Sequence, residues 1–324
     1  MPRAEETPFE KFTEEIFKLT YEKPSRALYY EDCYGLRDSI QNAVIKLRKS
    51  YLPDNHAACE PFYHDEDCRK AYMFAYYPYF INPMQAILKS FVLPNLNLDK
   101  KIYLDCFACG PCPELLATAR AVKDYLPDEE KIKINVWAYD NEKEWFPFLK
   151  ITNYLCNKIF ESKLNFIGDL DIKENGAVFS NIRTKPSLPE FGQKWKDRLT
   201  NKTQIVTFQN YLSHIGDDES SIKNFTDMLG NLAALTKKRT FFVLVDLNYY
   251  STAKVFDKIC GNYFLQENSL KLVAKHIPAD GGPLRATHDR PSFGIRTNIF
   301  NTDIEFLNQP KKYTDFYFVV LRKK

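Results

Sequence analysis

Residues 103 to 115 read Tyr103-Leu104-Asp105-Cys106-Phe107-Ala108-Cys109-Gly110-Pro111-Cys112-Pro113-Glu114-Leu115. An apolar run enters a tight Cys-Gly-Pro turn, and Pro113 suits the first turn of the helix that follows. Ile102 to Phe107 therefore reads as a buried strand and Pro113 to Tyr125 as a helix. Lys133 to Tyr139 reads as a second strand, which Asp140 ends. A strand, a turn that admits close backbone approach, a helix N-terminus and an acid after the next strand form a known layout. It holds adenosine-containing cofactors in open α/β sheets.

Downstream the alternation continues. Helices are expected at Glu144 to Phe160, Ser220 to Leu235 and Ala253 to Cys260. Strands are expected at Leu164 to Leu170, Gln204 to Leu212 and Thr240 to Leu247, and late strands at Leu270 to Ile277, Phe293 to Phe300 and Asp315 to Leu321. Strand–helix alternation implies parallel βαβ units. The late segments lack an intervening helix, so the last strand pair is expected to be antiparallel. Residues 172–202 and 278–292 read as long loops.

Upstream of residue 98 the chain reads as helical, with amphipathic spacing over Glu10 to Leu19 and Tyr34 to Tyr51. Arg69 to Val92 is rich in Tyr and Phe, and Pro78 and Pro83 should break or kink it. Its rings from Tyr72 to Phe80 have few basic neighbours and read as core, compatible with a helical cap over a cofactor mouth. The expected division is a helical region over 1–98 and an α/β domain over 99–324.

Composition excludes several classes. The 324 residues are 44% hydrophobic and 27% charged, which suits a globular chain with a sizeable core. A net charge of +3 carries no strong nucleic-acid signature. No apolar run approaches the roughly 20 residues that span a bilayer. The acidic, amphipathic N-terminus is unlike a signal peptide. The eight cysteines are irregularly spaced and read as reduced thiols of a cytoplasmic protein.

Candidate binding residues cluster at the strand ends. Gly110 supplies the turn, and Glu114 lies in the first helical turn, where a carboxylate is favoured. Asp140 could accept both ribose hydroxyls, and Asp169, ending the third strand, could face an adenine amino group. Gln209, Asn210, Tyr211 and His214 follow the fourth strand and are candidates for holding or deprotonating a substrate. Asp246 and Asn248 end the fifth strand at the same sheet edge.

These residues resemble the first motif of class I S-adenosylmethionine-dependent methyltransferases. That motif runs acid-apolar-Gly-x-Gly-x-Gly, often ending Cys-Gly-Pro-Gly. Cys109-Gly110-Pro111 matches its centre, Ala108 and Cys112 replace the outer glycines, and Asp105 lies one residue early, with Cys106 at the aligned place. Tyr139-Asp140-Asn141 followed by Trp145 is similar to uncharacterised bacterial methyltransferase-like proteins. Leu212-Ser213-His214 is a short likeness to the ribosomal small-subunit methyltransferase-like group.

The resemblance covers about residues 100 to 323. It implies a Rossmann-like class I methyltransferase sheet, mostly parallel with an antiparallel terminal strand. It also implies S-adenosyl-L-methionine as cofactor, held by Asp105, Ala108, Cys109, Gly110, Pro111, Glu114, Asp140, Asn141 and Asp169. The expected activity is methyl transfer to an unknown nucleophile on a small molecule, protein or RNA. The alternatives are an inactive binding protein of the same fold and an NAD-linked oxidoreductase. The missing Gly-x-Gly-x-x-Gly argues against the oxidoreductase.

Two clusters raise the question of metal. Cys106, Cys109 and Cys112 are spaced by two residues each, and His56, Cys59, His64 and Cys68 form a second group. The first reads as small residues filling a turn and the second as a metal-free loop, because neither spacing matches a standard site.

Overall fold

The computed structural model describes residues 6–50, 63–96, 101–126, 133–140, 142–159, 169–170, 177–179, 193–215, 218–247, 250–300 and 311–324. These divide into two compact units. One comprises residues 1–80 with 286–314, the other residues 81–285 with 315–324. Of the described residues, 81–96 fall in the unit with the sheet, and 286–300 with 311–314 in the unit with the N-terminal helices.

The first unit is helical. Helix α1 (Pro8–Tyr21) starts at a capping box, in which Thr7 Oγ1 accepts from Glu10 N and Glu10 returns its carboxylate to Thr7 N. Helices α2 (Tyr34–Ser50) and α3 (Glu66–Ala75) follow. Asp65 caps α3 by accepting from Asp67 N and Cys68 N. The rings from Tyr72 to Phe80 are buried, as expected for core. Phe74 packs against Phe17 and Phe300, with centroids 5.6 and 6.1 Å away.

The chain breaks at Tyr76 and resumes as α4 (Tyr77–Ile87), which carries Pro83 inside it and runs on as a π-helical turn over Leu88–Val92. The break therefore comes before Pro78, and Pro83 is accommodated.

The strand expected over Phe293 to Phe300 is helical instead. Ser292 caps a short turn at Phe293–Ile295 that widens into a π-helical turn at Arg296–Phe300. Ile295, Asn298 and Ile299 are buried at helical spacing, and Asn298 Nδ2 donates to Gly294 O. Glu14 binds this segment internally, accepting from Ser25 N, Ser25 Oγ and Ser292 Oγ.

The second unit is a mostly parallel sheet. Its strands are β1 (Lys101–Phe107), β2 (Lys133–Asp140), β3 (Asp169–Leu170), β4 (Ala177–Phe179), β5 (Ile205–Gln209), β6 (Phe241–Leu247), β7 (Leu270–His276), β8 (Leu284–Thr287) and β9 (Tyr313–Lys323). The order is β3-β2-β1-β5-β6-β9-β7, with β4 also pairing β2. Strands β1, β2, β5 and β6 run parallel, and β9 is antiparallel to both β6 and β7. β5 is wholly buried and β1 nearly so, as parallel strands covered on both faces must be.

The helices of this unit are α5 (Pro113–Tyr125), α6 (Phe146–Ile159), α7 (Gln193–Asn201), α8 (Glu219–Leu235), α9 (Tyr250–Cys260) and α10 (Asn262–Glu267). α5 packs on α6, while α8 and α9 share a core with Phe107, Tyr139 and Phe208. Both α7 and β4 fall in the 172–202 stretch expected to be loop; Leu199 of α7 joins that core. Of the expected third strand only Asp169–Leu170 lies within the described residues.

Strand order runs outward from β1 in both directions, through β2 on one side and β5 on the other. The β1–β5 boundary is therefore the switch point, where loops diverge and ligands bind in such sheets.

Candidate functional site

The turn after β1 has an unusual backbone. Ala108, Gly110 and Cys112 all take left-handed φ, at +50°, +51° and +58°. These are the three positions that glycines fill in the motif it resembles, yet only one is glycine. The path is kept at a cost of about 1–2 kcal/mol at each non-glycine position.

The turn is held by its neighbours. Cys109 N donates to Tyr139 O of β2 at 3.3 Å, and Cys112 N closes on Cys109 O at 2.8 Å. Thr152 of α6 donates its hydroxyl to Pro111 O at 2.5 Å. The buried Trp145 backs Gly110, where a Cβ would lie 3.5 Å from the indole. Gly110 is thus glycine for its φ more than for space.

Asp140 reaches across from β2. Its Oδ2 accepts from Gly110 N at 2.7 Å and its Oδ1 from Glu142 N at 3.0 Å. The residue is 7% exposed. Asn141 and Asn248 lie outside the described residues. Asp169 ends up beside Asn135 of β2 through the strand register.

Asp105 is engaged elsewhere. Its Oδ1 accepts from Tyr139 OH at 2.8 Å, and its Oδ2 accepts from Thr203 Oγ1 at 2.8 Å and from Arg198 at 3.4 Å. Successive strand residues face opposite sides of a sheet. Asp105 therefore joins the Phe107 face, while Cys106 faces α5. The one-residue offset seen in the sequence puts this acid in a buried anchor instead of the turn. Above it, Phe107 stacks on Tyr139 and Phe208 at 4.3 and 5.1 Å.

On the other face, Cys106 meets Cys112 and Glu114, all fully buried. Burial works against a thiolate at Cys112, yet hydrogen bonds with Cys106 and Cys109 and from Leu115 N hold its thiol well below the ordinary range. Burial and the neighbouring Cys112 push Glu114 well above the usual carboxylate range. Among the described cysteines none forms a disulfide. Of the second expected cluster, His56 and Cys59 lie outside the described residues. Burial, with Asp65 nearby, pushes the Cys68 thiol up to about 12.

The residues after β5 sit across the switch point from the turn. Gln209 is buried, and the Tyr211 ring packs between Phe208 and Phe225 at 6.1 and 5.9 Å. Asn210, at φ +54°, and His214 are half-buried. Asp246 of β6 fixes this turn by accepting from Ser213 N at 3.1 Å and Leu247 N at 2.7 Å, and burial raises its pKa to about 6.

Sequence reasoning missed the structural roles of Thr152, Arg198 and Thr203. No local motif marks them, because their partners lie 41, 93 and 98 residues away.

No family model and no curated protein matches this chain. Solved structures with a similar fold include an O-methyltransferase family protein from Burkholderia thailandensis, at 10% identity over 85% of this chain and 64% of that one, with a TM-score of 0.42. The plantazolicin methyltransferase BamL is 11% identical over 89% of this chain and 98% of that one, with a TM-score of 0.38. A precorrin-6y C5,15-methyltransferase from Geobacter metallireducens is 11% identical over 74% and 88%, with a TM-score of 0.35. These overlaps add nothing to what the strand order already displays. Among the described residues no helix is long and apolar enough to cross a membrane.

Proposed function

We propose that this chain binds S-adenosyl-L-methionine at the carboxyl edge of β1 and β2 and transfers its methyl group to an acceptor bound beside β5. The observation that carries this reading is the hydrogen bond from Gly110 N to Asp140 Oδ2, within a turn that keeps three left-handed positions though two are not glycine. Non-glycine residues persist in that conformation only where the surroundings over-determine it, and such strain clusters at ligand clamps.

The residues suit the group. Asp140 offers its carboxylate, held at the turn by Gly110 N and Glu142 N, for the ribose hydroxyls. The Ala108–Pro111 backbone can lie against the amino-acid portion, and Asn141 and Asp169 are the candidates for the nucleoside end. When bound, the cofactor supplies an activated sulfonium methyl. The protein's share is alignment, which can supply up to roughly 7–11 kcal/mol of the barrier reduction.

On the acceptor side, Asn210 and His214 are the candidates best suited to touch a substrate, because both retain exposure beside the switch point. Gln209 and Tyr211 are committed to the core and act as positioning residues for that turn. His214 is the natural proton acceptor where the nucleophile carries a proton.

The burial of Gln209 and Tyr211 also favours a second reading, a protein that binds the cofactor without turnover. Titration with S-adenosylhomocysteine tests the shared premise. Release of S-adenosylhomocysteine from the methyl donor in the presence of candidate RNA, protein and small-molecule pools separates transfer from binding alone.

A further inference from the structure

A second site lies beneath the turn, on the α5 face of the sheet. Cys106 Sγ, Cys112 Sγ and a Glu114 carboxylate oxygen lie within 4.8 Å of one another, and all three residues are fully buried. Cys112 also makes a side-chain hydrogen bond with Cys109, itself only 4% exposed. Three chain elements deliver these groups: the end of β1, the left-handed residue that opens α5, and the second residue of α5.

Glu114 is the decisive observation. Both of its carboxylate oxygens are buried, and no charged or hydroxyl group satisfies them; the polar side chain that faces them is the Cys112 thiol. Protonation would not resolve this, because a neutral carboxyl group still carries a donor and acceptors that need partners. Buried polar groups are otherwise almost always satisfied, and each exception calls for an explanation such as an ion. Two thiols grouped with the same carboxyl group indicate which ion.

We propose that Cys106, Cys112 and Glu114, completed by Cys109, bind one zinc ion. Thiolate ligands select soft or borderline metals over magnesium and calcium, and an S-rich tetrahedral set points to zinc. Zinc–sulfur bonds of about 2.3 Å and zinc–oxygen bonds of about 2.1 Å put neighbouring ligand atoms about 3.5–3.8 Å apart in a tetrahedron. The three grouped atoms, within 4.8 Å of one another, need to close only slightly, and the Cys109 thiol, which donates to Gly110 O, must turn to complete the set. Four protein ligands and no exposure describe a closed site, which is structural. Binding displaces the protons of the thiols to solvent, and no electron is transferred. The ion would pin the left-handed turn from below, while Asp140 holds it from above. The proposal stands whether or not the chain binds a methyl donor.

The test uses the full chain, purified under reducing conditions. Elemental analysis is expected to find one zinc per chain, and refilling the chelator-stripped protein with cobalt should produce a sulfur-to-cobalt charge-transfer band in the near ultraviolet. Cys106→Ser and Glu114→Gln should each weaken zinc binding at least tenfold in competition with a chromophoric chelator, while Cys260→Ser should not. Circular dichroism checks that each variant is folded. The proposal also survives if Cys106→Ser fails to fold, provided the wild type holds zinc and shows the cobalt band. It is overturned if folded, reduced wild type takes up no zinc, or if zinc binding survives Cys106→Ser unchanged. Isolation with a Cys106–Cys112 disulfide, or with iron in place of zinc, also overturns it.

Discussion

Replacing Ala108 with glycine should leave the protein as stable or slightly more so, against the usual rule for alanine. At φ +50° an alanine Cβ costs about 1–2 kcal/mol, which glycine recovers. Glycine loses about 0.5–1 kcal/mol through its freer unfolded chain. The methyl is only partly buried against the α8–α9 core, so losing it costs roughly 0.4 kcal/mol, half of a fully buried group. The sum runs from slightly unfavourable to about 1 kcal/mol favourable. Ala121→Gly in α5 provides the contrast. That residue is fully buried in a helix, so it forfeits about 1 kcal/mol of helix propensity and about 0.8 kcal/mol of burial. The two variants should differ by about 2 kcal/mol. Urea unfolding followed by tryptophan fluorescence measures this directly, since Trp137, Trp145 and Trp195 all belong to the sheet unit. If Ala108→Gly destabilises as much as Ala121→Gly, the turn is not strained and the reasoning about it fails.

Three further outcomes follow from the packing. Asp105→Asn leaves Arg198 buried without its charge partner and should cost about 3–5 kcal/mol in the same urea assay; a cost below about 1 kcal/mol would contradict the anchor. Gly294→Ala would put a Cβ 2.9 Å from Arg26 N and against the Ser25 side chain, so the helical unit should lose about 1–3 kcal/mol, read as a lower melting temperature. His288 accompanies a pH dependence: burial, with Lys311 nearby, lowers its pKa to about 4, whereas an unfolded histidine titrates near 6.5. The unfolded state then binds the extra proton between those values. The contribution is complete above about pH 6.5 and lost as pH falls toward 4, by roughly 1–2 kcal/mol after allowance for a half-buried ring. His288→Gln should flatten that slope, and an unchanged slope would refute it.

The parts of the fold legible in the sequence were those with strong local periodicity. The apolar runs at β1, β2, β5 and β6 and Pro113 at the start of α5 all carried short-range signals. The segment at 293–300 misled because Phe, Ile and Phe suit strands, whereas the buried face actually follows Ile295, Asn298 and Ile299. α7 escaped notice because its sequence is polar and, among its described side chains, Leu199 is buried beside Arg198, whose partner is distant Asp105.

At the site, Gly110 and Asp140 were readable because the turn and the strand-ending acid are adjacent in any such sheet. The side of the sheet that Asp105 faces was not, since it depends on a single residue of register. The convergence of Glu114 with Cys106 and Cys112 was also hidden. It arises only when a left-handed residue at 112 turns the helix start back toward the strand.

Asp140 and its turn form the proposed nucleoside-cofactor site. Calorimetric titration of S-adenosylhomocysteine into the wild type and Asp140→Ala tests it. Single-site binding is predicted, weakened at least tenfold in the variant, because charge-assisted hydrogen bonds of roughly 1.5–3 kcal/mol each are removed. No heat and no thermal shift with the wild type at millimolar ligand, or equal affinity in the variant, would contradict it.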